Sequence, residues 1–84
     1  MKKTALKIEV HYFAGMRERA GRDSEVVETA AGTPAELYAE LRARYDFELE
    51  QAHLRVAVND AFAKWETPLS PGDSVVYIPP VAGG

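Results

Sequence analysis

The chain has 84 residues, a net charge of −3, 46% apolar and 27% charged residues. That is the composition of one small globular domain, too short for two and too apolar for disorder. Without cysteine, it excludes disulfide staples, zinc–thiolate sites and thiol nucleophiles, so a core must hold the fold.

The mild negative charge argues against a nucleic-acid binder. Charge is nevertheless segregated. Residues 1–22 carry six Lys or Arg against two Glu, and residues 23–84 carry four against eleven acidic residues. Two readings follow: a solvated surface with a local basic patch, or a docking patch around Arg17, Arg19 and Arg22. No apolar run approaches the roughly 18 residues of a membrane helix. Met1-Lys2-Lys3-Thr4 is followed by no apolar stretch of the signal-peptide kind, so a cytoplasmic protein is the expectation.

In chain order, Leu6, Ile8, Val10 and Tyr12 alternate with Lys7, Glu9, His11 and Phe13, the period of a half-buried strand. Phe13 then falls on the polar face. Gly15 to Asp23, with two glycines and several charges, reads as a loop holding at most one helical turn. Ser24 to Thr29 reads as a second strand with Val26 or Val27 inward, completing an N-terminal hairpin. Thr33, Pro34 and Glu36 form a capping box with proline at the first helical position. Leu37, Leu41 and Tyr45 continue as an apolar stripe with Tyr38 beside it, and the helix should end near Tyr45 or Phe47. Leu54 to Val58 alternates again, Asn59-Asp60 is a tight-turn pair, and Ala61 to Trp65 is its return strand. Thr67 to Asp73 is turn-rich, Ser74 to Ile78 is β-branched and aromatic, and Pro79-Pro80 ends the ladder.

One helix on one face of a four- or five-stranded mixed sheet is an α+β roll. The whole chain, 1–84, reads as a single domain, with a folded core over 6–79 and a flexible tail over 80–84.

Enzyme constellations are missing. His11 and His53 have no metal-ligand spacing, Ser24, Ser70 and Ser74 have no nucleophile motif, and the glycines form no phosphate loop. The C-terminus is the distinctive feature. Pro79 and Pro80 stiffen the exit from the last strand, Val81-Ala82 follows, and Gly83 and Gly84 lack the Cβ that would bar a narrow channel. Two readings follow: an inert tail that happens to end in glycines, or a Gly84 carboxylate offered to a partner, which adenylation by a separate enzyme followed by sulfur attack would turn into a thiocarboxylate. Phe13, outward beside the last strand, should form an apolar docking patch with Ile78 and Val81.

Tyr12-Phe13-Ala14-Gly15-Met16-Arg17-Glu18 and Gly21, Val56-Ala57-Val58-Asn59, and the run from Thr67 to Gly84 resemble the small, sulfur-carrier subunit of the molybdopterin synthase family, over Leu6 to Gly84. The resemblance implies a ubiquitin-like β-grasp fold with the last strand parallel to the first in mid-sheet. It implies molybdenum cofactor biosynthesis, in which a ubiquitin-activating-like adenylyltransferase uses ATP and Mg²⁺ on Gly84 and a sulfurtransferase supplies sulfur. The thiocarboxylate then converts cyclic pyranopterin monophosphate into the molybdopterin dithiolene inside the large subunit, which holds the catalytic residues. The assembly it implies is a heterotetramer of two small and two large subunits. By position, Gly84 bears sulfur, Gly83, Ala82 and Val81 thread, and Phe13, Arg17, Ile78, Pro79 and Pro80 bind the partner. Ala82 departs from the family's usual Ser or Thr. The alternatives are a thiamine-type sulfur carrier and a ubiquitin-like modifier that forms an isopeptide through the same glycine.

Overall fold

A computed structural model of the chain describes residues 5–79. Five strands, β1 (Leu6–His11), β2 (Ser24–Thr29), β3 (Arg55–Val58), β4 (Ala61–Ala63) and β5 (Ser74–Ile78), form one sheet in the order β2-β1-β5-β3-β4. The last strand enters the middle and pairs parallel with the first, with Val10 opposite Val75, while the other pairings are antiparallel. Helices α1 (Ala14–Ala20) and α2 (Pro34–Tyr45) complete the fold. This is the expected β-grasp, with five strands and one main helix.

Burial follows the alternation in the sequence. Ile8, Val10 and Tyr12 are buried, as are Val27, Val56, Val75 and Tyr77, and they meet Leu37, Tyr38 and Leu41 of α2. Of the two candidates on β2, Val27 turns inward and Val26 is exposed. The start of α2 holds the expected cap with one change. The Thr33 hydroxyl accepts from the Glu36 amide at 3.2 Å, but the Glu36 carboxylate accepts from Gly32, at 2.7 Å, one residue upstream of the usual partner. The helix ends at Asp46, in the left-handed region at φ 58°, whose amide donates to the Arg42 carbonyl. Asn59 and Asp60 also have positive φ, 53° and 70°, as a two-residue hairpin turn demands. Asn59 fastens that turn to the start of β5, donating to Asp73 and accepting from the Ser74 amide, both at 3.0 Å.

Two expectations need correction. Gly15 to Asp23 holds a two-turn helix instead of a loop. Met16 and Ala20, four residues apart, are both buried, so α1 has a narrow apolar stripe that tertiary packing rewards. Gly21, read as a loop residue, is the stop signal: at φ 75° it donates its amide to the Arg17 carbonyl. The first two strands form the expected antiparallel pair, and α1 is their connection. The return strand after Asn59-Asp60 is also shorter than expected, ending at Ala63. Beyond it Trp65 folds against the core and lies face to face with Tyr77, ring centroids 5.8 Å apart.

Polar groups carried into the core are satisfied. The Tyr77 hydroxyl donates to the Pro34 carbonyl at 2.9 Å, and Tyr38 donates to the Leu49 carbonyl at 2.6 Å. Burial pushes both phenols above their ordinary pKa, so both remain neutral donors at physiological pH.

Candidate functional site

Two α2 side chains shape the chain after the helix. Tyr38 holds the Leu49 carbonyl, and the Arg42 Nε donates to the Phe47 carbonyl at 3.0 Å. Residues 47–49 thereby become a strap beside α1. Between strap and helix lies a hollow of about 380 Å³, with apolar walls from Phe13, Met16, Phe47, Leu49 and Pro79. Its rim is charged: Glu18 and Arg19 on α1 and Glu48 on the strap, with Arg19 and Glu48 3.4 Å apart.

A second hollow, of about 500 Å³, opens on the other side of Pro79 and includes Leu54, Arg55, Phe62 and Ile78. Phe62 is 70% exposed, and the Arg55 guanidinium lies 5.7 Å from its ring centre. Val76 and Ala57 continue this apolar surface across the open face of the sheet. Pro79, the last described residue, therefore stands between two apolar concavities, with exposed Phe13 on one side and Phe62 on the other.

The expected binding residues divide accordingly. Phe13 is 50% exposed and shares the first hollow with Pro79; Ile78 shares the second with Pro79. Arg17 borders neither hollow; its Nε lies 3.6 Å from Asp23. Its neighbour Arg19 reaches the rim instead. Pro80, Val81, Ala82, Gly83 and Gly84 lie outside the described residues. Phe62 was missed, although the signal for it was present. In a two-residue turn at Asn59-Asp60, Val56 pairs with Ala63 and Ala57 with Phe62; with Val56 inward, Phe62 must point outward.

The segregated charge is resolved in space. Arg17 faces Asp23, Arg19 faces Glu48 and Arg22 faces Glu25, each acid coming from beyond residue 22. Glu25 is also the centre of a half-buried cluster, accepting from both the Tyr12 and Tyr45 hydroxyls at 2.5 Å. Burial pushes its carboxyl up, but the two phenol hydrogen bonds and the Arg22 and Arg44 charges outweigh that and hold it below the usual range. Tyr12 is pushed up by burial and by its bond to Glu25. This cluster ties the end of β1, next to Phe13, to the end of α2, next to the strap.

Among the described residues no three His, Asp or Glu gather as a metal site, and His11 faces only Glu9, at 3.6 Å. No helix among them is long and apolar enough to cross a membrane.

Comparison with known proteins bears on this arrangement. Residues 10–84 match the ThiS family. The molybdopterin synthase sulfur carrier subunit of Escherichia coli (strain K12) is 36% identical over 80 residues, spanning 92% of this chain and 99% of that protein. A chain of the complex of subunits 1 and 2 of the molybdopterin-converting factor from Helicobacter pylori 26695 superposes with a TM-score of 0.66 at 26% identity, covering 94% of this chain and all of that one. A ubiquitin from Caldiarchaeum subterraneum superposes with a TM-score of 0.63 at 20% identity, over 95% of this chain and 99% of its own, a likeness of fold alone.

Proposed function

The chain belongs to the ThiS family, and on that premise we propose that it is the sulfur-carrier subunit of a molybdopterin synthase, with Gly84 as its reactive residue. The observation that carries this reading is the match itself. It runs through both terminal glycines, to Gly84, and curated relatives covered over nearly their whole length are molybdopterin synthase sulfur carrier subunits.

The chemistry asks little of the fold. The Gly84 carboxylate attacks the α-phosphate of ATP, held with Mg²⁺ by the separate adenylyltransferase, and pyrophosphate leaves. Sulfur delivered by a sulfurtransferase replaces AMP at the acyl carbon and leaves a thiocarboxylate. That group is a sulfur nucleophile at neutral pH without any cysteine in the chain. Inside the large subunit the thiocarboxylate sulfur displaces an oxygen substituent at a carbon of cyclic pyranopterin monophosphate, water cleaves the resulting thioester and restores the Gly84 carboxylate, and a second loaded carrier completes the dithiolene.

The carrier's own part is presentation. Pro79 and Pro80 have no amide donor, so neither residue type can extend the ladder. Gly83 and Gly84 bring only backbone width into a partner's channel. Phe13, Ile78 and Phe62, around the point where the chain leaves the sheet, supply the apolar contact with the large subunit. Two carriers and two large subunits form the heterotetramer.

The test is direct. Incubated with the adenylyltransferase, ATP, Mg²⁺ and a sulfur source, the chain should gain the mass difference between sulfur and oxygen. Fragmentation should place that gain on Gly84. An unchanged mass beside a carrier that the same enzyme does load would overturn the assignment. A ladder of larger species on denaturing gels of cell extracts would mark isopeptide transfer instead.

A further inference from the structure

The two concavities beside Pro79 differ in kind. On the β3–β4 side the exposed group is a knob, Phe62, standing clear of the sheet. On the α1 side it is a hole whose strap wall is tied to α2 by two hydrogen bonds. The strap wall is held by Tyr38 and Arg42 from below and by Arg19–Glu48 across the rim. Its floor, Met16 and Phe47, belongs to the core. An apolar hole already tied in place lowers the reorganisation cost of taking a partner's anchoring side chain.

We infer that the hollow between α1 and the 47–49 strap receives an aromatic or branched aliphatic side chain of the synthase large subunit, with a basic residue beside it that meets Glu18 and Glu48. This rests on the reading of the chain as a synthase carrier. Five residues follow Pro79, and a fully extended chain of that length spans at most about 18 Å. A partner that holds Gly84 in its active site therefore has its entrance within that reach of Pro79. Its surface around the entrance closes over the hollow that Pro79 borders. The apolar walls select an apolar occupant, and two carboxylates against one guanidinium at the rim select a cation next to it.

Gly15 allows the hollow to be filled without damage to the fold. It lies on the lining, and a Cβ placed there would meet nothing within 4 Å. Ala and Trp both have higher helix propensity than Gly. Gly15→Trp fills the hollow, and Gly15→Ala makes the same backbone change without filling it. The affinity of each chain for the large subunit of the same organism is measured by titration calorimetry, thermal melts check the fold, and sedimentation gives the oligomeric state.

The expected result is two folded variants, with Gly15→Ala binding like the parent and Gly15→Trp about tenfold or more weaker, as for loss of an interface anchor. Parental affinity in Gly15→Trp overturns the inference and leaves the carrier reading standing. A parent chain that does not bind the large subunit removes the carrier reading and this inference with it. A parent dimer that Gly15→Trp dissociates makes a second copy the occupant and also overturns it.

Discussion

The two faces of the sheet use aromatic residues in opposite ways. On the covered face, Tyr12, Tyr38, Phe47 and Tyr77 are packed among aliphatic side chains, and each phenol has a partner. On the open face and at its rim, Phe13 and Phe62 stand in solvent around the place where the chain leaves β5. Both sets are apolar, so composition does not separate them. The difference is that burial on the covered face is complete within one chain. On the open side Phe13 and Phe62 stay exposed within the chain, and in the proposed carrier role another protein covers them. Stability and the proposed docking therefore occupy different surfaces, and variants should affect one without the other.

The sharpest separation is expected at the end of the chain. Deleting Gly83 and Gly84 should abolish sulfur loading, read by intact mass, while the melting temperature stays at the parental value. A large fall in stability would show that the end belongs to the folded unit. On the covered face, Leu37→Ala empties a fully buried position and should cost about 2–5 kcal/mol in denaturant unfolding. A cost under about 1 kcal/mol would mean the helix side is not the main source of stability.

Ile78→Ala and Phe62→Ala should each weaken binding of the large subunit by about 2 kcal/mol in titration calorimetry. At the exposed Phe62 the change in unfolding free energy should stay near 0.5 kcal/mol. Unaltered affinity in both would remove the open face from the interface.

The smallest effect tests the seam between the faces. Glu25→Gln should cost about 1 kcal/mol at pH 7, since a charged acceptor of two phenols becomes a neutral one. The sign of its pH dependence follows from the lowered carboxyl. Its contribution is present above the ordinary value of 4.5 and is lost as pH falls through the lower folded value, because the unfolded chain takes up the proton first. The parent should therefore lose stability faster than the variant below about pH 4.5. Parallel acid profiles would show that the cluster does not depend on the charge.

Much of this was legible in the sequence because it depends on local periodicity. The period of two placed Ile8, Val10 and Tyr12 inward and Phe13 outward, and Thr33-Pro34 with Glu36 marked the start of α2. The helix α1 was not legible. Its glycines and charges have the composition of a loop, and its stripe is only Met16 and Ala20, which pay only when β1 and α2 are beside them. The exposed apolar surface proposed for docking was half legible. Phe13 and Ile78 stood out, while Phe62 needed the pairing across Asn59-Asp60 and Arg19 needed the strap brought to it.

What the sequence determined by itself is a cysteine-free α+β domain, one main helix on a mixed sheet, with two prolines after its last strand and a Gly-Gly pair at residues 83–84. Those features are set by residue type and by short-range spacing, whereas the β-grasp order came from the family resemblance. Only the tertiary structure decided which side chains surround the exit of that terminus. Residues 13–19, 47–49, 62 and 78–79 are scattered along the chain. They meet because β5 enters the sheet between β1 and β3, and that long-range pairing is invisible to any local pattern.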